Sequence, residues 1–264
     1  MAEGATSMTG SGLMQATQVA REANVRTSAN GLRYAAFGDT GLDEAELGRM
    51  VQAVPASIAA GLSGKTYFFV PLAIAEGRNL DGPGHRGGET TMISPVYSAE
   101  LADEAICHRN VELGPGEGVF ISSRLLGDRF SLAFEFFINA GHGFVNEAGI
   151  SESFAEVAWN QALADVRGET SQDAWEFRAG ALGRADGSAR IDERARTEFL
   201  EAAFSDAVAI YLLSLALDFD YSELREREYP LLAPQALAER LRHVAKLFPP
   251  NPDYEFAIRY RRRL

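Results

Sequence analysis

The chain has 264 residues and a formal net charge of −12. A surface that acidic is repelled by nucleic acid and by anionic membranes, so neither is expected as a partner. With 46% hydrophobic and 10% aromatic residues, it can fill one large core or two small ones.

Cys107 is the only cysteine, which excludes an intramolecular disulfide and a multi-cysteine zinc site. The first thirty residues lack a basic-then-apolar leader, and no apolar run approaches the roughly 20 residues of a membrane span. The expectation is a cytoplasmic protein. Oligomeric state is not legible.

In chain order, residues 1–30 are rich in Gly, Ser, Thr and Ala and read as a flexible arm. Asp43 is placed to cap a helix carrying Leu47, Met50, Val51 and Val54, with a restart after Pro55 carrying Ile58 and Leu62. Thr66-Tyr-Phe-Phe-Val-Pro-Leu-Ala reads as a buried strand, and residues 82–88 as a glycine-rich loop containing His85 and Arg86. Thr91-Met-Ile-Ser-Pro-Val-Tyr is a second strand, and Gly118-Val-Phe-Ile-Ser a third. Helical spacing then covers 127–140, 151–167, 170–182, 191–217 and 235–247, with Pro249-Pro250 ending the last. Strands first and helices later predict an α+β fold.

Ala59-Ala-Gly-Leu-Ser-Gly-Lys65-Thr66 approaches a phosphate-binding loop. That mechanism needs strand, loop, helix, so that a helix N-terminus meets the phosphates. Here the order is helix, loop, strand, and nucleotide binding is not expected.

The informative stretch runs from Gly118 to His142. It holds a strand, Leu125-Leu126, Asp128 and a helix containing Phe134-Glu135-Phe136-Phe137-Ile138. This order resembles the approach to the active-site helix of zincin metallopeptidases. Their His-Glu-x-x-His motif puts two zinc-binding imidazoles on one helix face around a glutamate base. Aligned on Glu135, the ligand positions hold Phe134 and Ile138.

Downstream, Glu201-Ala-Ala-Phe204-Ser-Asp206-Ala-Val-Ala-Ile-Tyr211-Leu is similar to the third-ligand helix of lethal-factor-like zincins, Asp206 standing at the ligand position and Tyr211 at the family's tyrosine. Phe154-Ala-Glu156-Val-Ala is a rival for that position. The resemblance implies a zincin-like domain over 31–250, a small N-terminal twisted sheet with a largely helical C-terminal half. A helical insertion would fill 139–200 and a basic tail 251–264. It also implies that residues 118–122 form the cleft-side edge of the sheet. Phe134, Ile138 and Asp206 would then converge within roughly 4–8 Å, with Tyr211 or His142 as the donor to Glu135.

Three departures count against peptidase activity: both histidines are absent, the third ligand is shorter, and the insertion is long. A zincin zinc needs three protein ligands, so neither metal nor other cofactor is expected. Glu135 becomes a vestigial base, and Phe134, Ile138, His142, Asp206 and Tyr211 line a cleft for a peptide or small molecule. One alternative is a metal-dependent hydrolase or oxygenase with relocated ligands drawn from Glu135, His142, Glu147, Glu156 and Asp206. Another is a helical scaffold or assembly protein.

Simpler readings exist for each group. Phe130, Phe134, Phe137 and Ile138 form an apolar stripe that a core helix explains. Gly141 and Gly143 around His142 suggest a helix end. Glu104 and His108 are four apart on a possible helix, Cys107 beside His108 points away from it, and His243 suits a surface site near a helix C-terminus. Arg259, Arg261, Arg262 and Arg263 read as a solvated tail.

Overall fold

The computed structural model describes residues 12–76, 90–183, 191–224 and 229–258. In chain order these form β1 (Met14–Gln15), α1 (Ala16–Glu22), β2 (Arg26–Thr27), β3 (Arg33–Ala36), α2 (Glu44–Gln52), α3 (Ala56–Gly61), β4 (Lys65–Val70), β5 (Leu72–Glu76) and β6 (Thr90–Ser94). Then follow α4 (Ala99–Ala102), β7 (Ala105–Ile106), β8 (His108–Glu112), β9 (Glu117–Ser122), α5 (Arg129–Ala148), α6 (Glu152–Leu163), α7 (Gln172–Ala181), α8 (Glu193–Ala216), a 3-10 turn (Tyr221–Leu224) and α9 (Pro234–Leu247). The class is mixed α+β. Residues 1–11, the 82–88 loop with His85 and Arg86, and the tail arginines lie outside the described residues.

Two compact units share the chain. The first takes residues 1–26, 33–44 and 64–128, and the second takes 27–32, 45–63 and 129–264. The stretch 31–250, expected as one domain, contains parts of both. The chain leaves the first at Glu44 and returns at Gly64.

In the first unit, β4 is paired in parallel with both β3 and β9, and β8 lies antiparallel to β9. A strand flanked on both sides and covered on both faces reads as a continuous apolar run, and Thr66–Val70 are all buried. Register sets Phe68 beside Phe120, and their rings stack at 4.7 Å. The expected single strand from Thr66 breaks at Pro71. Proline cannot donate to a ladder, and β5 instead joins an antiparallel sheet of order β1-β6-β5-β7. Ser122 Oγ accepts from the Ala73 amide at 2.7 Å and donates to the Ile106 carbonyl at 2.6 Å, tying the end of β9 to that second sheet.

Three expectations about this unit change. Residues 14–27 are not an arm: β1 pairs with β6, and Ala16 and Val19 enter the core. Residues 118–122 are not an edge, because β9 is held between β4 and β8; the edge is β8, whose residues alternate in exposure. Glu104 and His108 share no helix, since His108 begins β8. Cys107, just before it, is exposed.

In the second unit, α2 begins directly behind Asp43 and Pro55 separates it from α3. That break leaves carbonyls without helical partners. Two asparagines take them. Asn30 Nδ2 donates to the Val51 and Val54 carbonyls, and Asn251 Nδ2 to those of Gln52 and Val54, each at 2.8 Å. The region read as a tail is therefore tied down as far as Tyr254, which donates to the Arg49 carbonyl at 2.7 Å. Helix α8 is long and apolar enough to cross a bilayer by composition, contrary to the sequence expectation. Burial of 78% of its apolar window inside the protein marks it as a core helix.

Candidate functional site

Helix α5 does not end at Gly141; it runs to Ala148. Gly141 is there for packing. A Cβ at this position would stand 2.8 Å from the Ser205 carbonyl oxygen and 3.2 Å from the Ala209 nitrogen on α8. Near the other end of α5, Phe130 packs against Phe219, just beyond α8, with centroids 5.8 Å apart. Rising numbers on one helix meet falling numbers on the other, so α5 and α8 run antiparallel.

This register decides which candidates meet. It brings His142 to the level of Asp206, and the His142 charge acts on the Asp206 carboxyl. Ile138 and Phe134 fall one and two turns away, about 6 and 12 Å along the axis at 1.5 Å per residue. Helices α5 and α8 pack against each other, and their polar meeting point lies at His142 rather than between Phe134 and Ile138.

The buried stripe of α5 includes Ala133, Phe136, Phe137, Ala140 and Phe144; of the expected stripe Phe130, Phe134, Phe137 and Ile138, Phe137 alone is fully buried. Phe134, Glu135, Ile138 and Asn139 are half-buried and His142 is exposed, forming an adjacent, partly open face. Phe134 stacks on Phe130 at 5.8 Å. Asn139, not Tyr211, donates to Glu135 Oε1, at 3.2 Å. The Tyr211 hydroxyl donates to the Phe248 carbonyl at 2.7 Å, and its ring meets Phe256.

Asp206 is buried, and Thr170 Oγ1 donates to its Oδ2 at 2.8 Å. Burial raises its carboxyl above the ordinary aspartate range, while hydrogen bonds from Ser171 and Thr170 and the charges of His142 and Arg240 pull the other way. Thr170 and Ser171 belong to a segment fixed by backbone bonds: Glu169 donates to Pro230, and Leu232 donates back to Glu169. Gly168, at φ +82°, admits this approach, because a Cβ would sit 2.0 Å from the Leu231 oxygen.

Beside it lies a network that no sequence motif announces. Arg240, fully buried on α9, donates through Nη1 and Nη2 to the two Glu169 oxygens at 2.8 and 3.3 Å and through Nε to Gln161 at 2.8 Å. Arg178 on α7 donates to Glu169 Oε1 and to the Gly168 carbonyl, both at 3.0 Å. Its Nε is buried without a hydrogen-bond partner among the described residues. The available signal is an arginine inside an apolar stripe: Ala174-Arg178-Ala181 on α7 and Leu237-Arg240-Leu241-Val244 on α9.

The remaining candidates stay apart. Glu147 and Glu156 are exposed. Among the described residues, no three His, Cys, Asp or Glu side chains converge to hold a metal ion, so the relocated-ligand alternative has no donor set there. Lys65 pairs with Glu117, its register partner on β9, and Thr66 lies within β4, which leaves no phosphate loop. His243 is half-buried, within 2.9 Å of Ser153 Oγ and edge-on to Phe154. Comparison of the chain with protein-family models, with curated proteins and with solved structures finds no match.

Proposed function

We propose that the chain is a zincin-like binding protein without peptidase activity, taking a peptide or small molecule along the half-exposed face of α5. The observation that carries this reading is the chemistry of that face. Where a zincin helix needs imidazoles, Phe134 and Ile138 stand apolar and half-exposed, able to cover apolar ligand surface. Glu135 is engaged by Asn139 rather than poised over a metal-bound water. Asp206 is held by Thr170 at the level of His142, giving one end of the face a polar stop. The antiparallel crossing of α5 and α8 supports the zincin comparison, and the displacement of Asp206 toward His142 supports the loss of the metal.

Metal analysis of the purified protein tests it, with zinc titration of the wild type and of a Phe134→His, Ile138→His double variant. The wild type should carry substoichiometric zinc. The double variant should gain weak zinc affinity, since imidazoles at i and i+4 share a face. Both side chains are half-exposed, so each substitution should cost less than the roughly 2–5 kcal/mol of a full core truncation. One tightly held transition-metal ion per wild-type chain would overturn the proposal. A double variant that folds and gains no affinity would remove the zincin comparison.

A further inference from the structure

The end of α8 opens onto a cavity of the helical unit. An α-helix leaves its last carbonyls unpaired unless the chain turns back to cap them. Leu217 instead departs in an extended conformation, with φ −138° and ψ 144°, and its amide donates to the Leu213 carbonyl. The next three carbonyls, those of Ser214, Leu215 and Ala216, accept no hydrogen bond among the described residues. Helix carbonyls point along the axis toward the C-terminus. Here that direction leads to residues 217–222, all of which line the cavity.

The space measures about 930 Å³, near the upper end of the roughly 300–1,000 Å³ typical of small-molecule sites. Ile210 on α8, with Leu237, Ala238 and Leu241 on α9, gives it apolar walls. The hydroxyls of the described lining are already spent. Ser214 donates to the Tyr211 carbonyl, Tyr221 to that of Leu232, and Ser222 to Asp220. The α8 carbonyls therefore need a donor from outside the lining. A neutral hydroxyl supplies one without the dehydration cost of a full charge.

We infer that this cavity binds an uncharged molecule with an apolar body and a hydroxyl end. The body lies against Ile210, Leu237 and Leu241, and the hydroxyl donates to the free carbonyls at the end of α8. The inference does not rest on the zincin reading, because none of the α5 face residues lines the cavity.

Isothermal titration of the full chain with decanol and with its isomer methyl nonyl ether tests it. The two have the same atoms, but the ether has no donor and is the more hydrophobic, so a cavity that selects only for apolar surface ranks the ether first. Decanol should bind near 1:1 and at least threefold tighter, the order expected of one net hydrogen bond. Ala238→Phe, which puts a ring into the cavity, should abolish binding of both. Independently of that variant's folding, decanol should shift the methyl NMR signals of Ile210, Leu237 and Leu241 in the wild type. An ether that binds as tightly as decanol would overturn the donor assignment. No decanol binding, methyl shifts confined to other residues, or undiminished binding by a folded Ala238→Phe variant would overturn the site.

Discussion

Asp206 sits in the helical core with its carboxyl pushed above the ordinary range by burial, and this has a directional consequence for stability. A carboxyl whose folded pKa exceeds its unfolded value, about 3.9, holds its proton more tightly in the native state. Its contribution is fully present below the unfolded pKa and is lost as pH rises through the folded one. Asn resembles the protonated form and still accepts from Thr170. The melting temperature of Asp206→Asn, relative to wild type, should therefore become more favourable as pH rises from 4 toward neutrality. For a protein of this size, a change of about 2–4 °C corresponds to about 1 kcal/mol. A difference that stays constant across the range would show that Asp206 carries no such penalty. Glu169 is buried beside Asp206's segment and is held by ion pairs. Two buried arginines converge on it, and removal of one partner from such a cluster leaves uncompensated charge.

At the scale of helices, the α5–α8 contact turns on Gly141. Replacing a mid-helix glycine by alanine ordinarily gains about 1 kcal/mol of helix propensity. Here the new methyl would meet backbone at 2.8 Å, and overpacking of that kind costs about 1–3 kcal/mol, so overpacking should win. Gly141→Ala should lower the melting temperature and Gly141→Leu should lower it further. Gly180→Ala on α7, whose added Cβ would meet Ala195 at an ordinary 3.4 Å, should leave stability unchanged or slightly raised. If Gly141→Ala stabilises, the helices are not in backbone contact there. The five helices from residue 127 on are legible in the sequence because their apolar spacing persists over several turns. The end of α5 is not, because one glycine signals helix termination and close packing alike. Strands such as β1, β2 and β7 have two residues each, too few for any periodicity. Asp206 is visible as part of a motif. Its surroundings are not, because Glu169 and Arg240 are 71 positions apart and no local pattern links them.

At the scale of the whole molecule, the helical unit draws on two early segments, residues 27–32 and 45–63. Val51, Val54, Ile58 and Leu62 from the second are all fully buried. Burying one such side chain is worth about 1.5–3 kcal/mol, so four of them rival the entire 5–15 kcal/mol net stability typical of a domain. A fragment spanning 129–264 should therefore show no cooperative thermal transition by circular dichroism and little amide dispersion by NMR, while the full chain shows both. A cooperative melt of that fragment would refute the dependence. The same interleaving imposes an order in time. Asn251 accepts from the Ala56 amide at 3.1 Å and donates to the carbonyl of Gln52, a residue 199 positions earlier. At a synthesis rate of about 5–20 residues per second, roughly 10–40 s separate the emergence of the two partners. During that interval Asn30 alone can serve the Val51 and Val54 carbonyls while that of Gln52 waits in water, and a chain that terminates early never receives the second clamp.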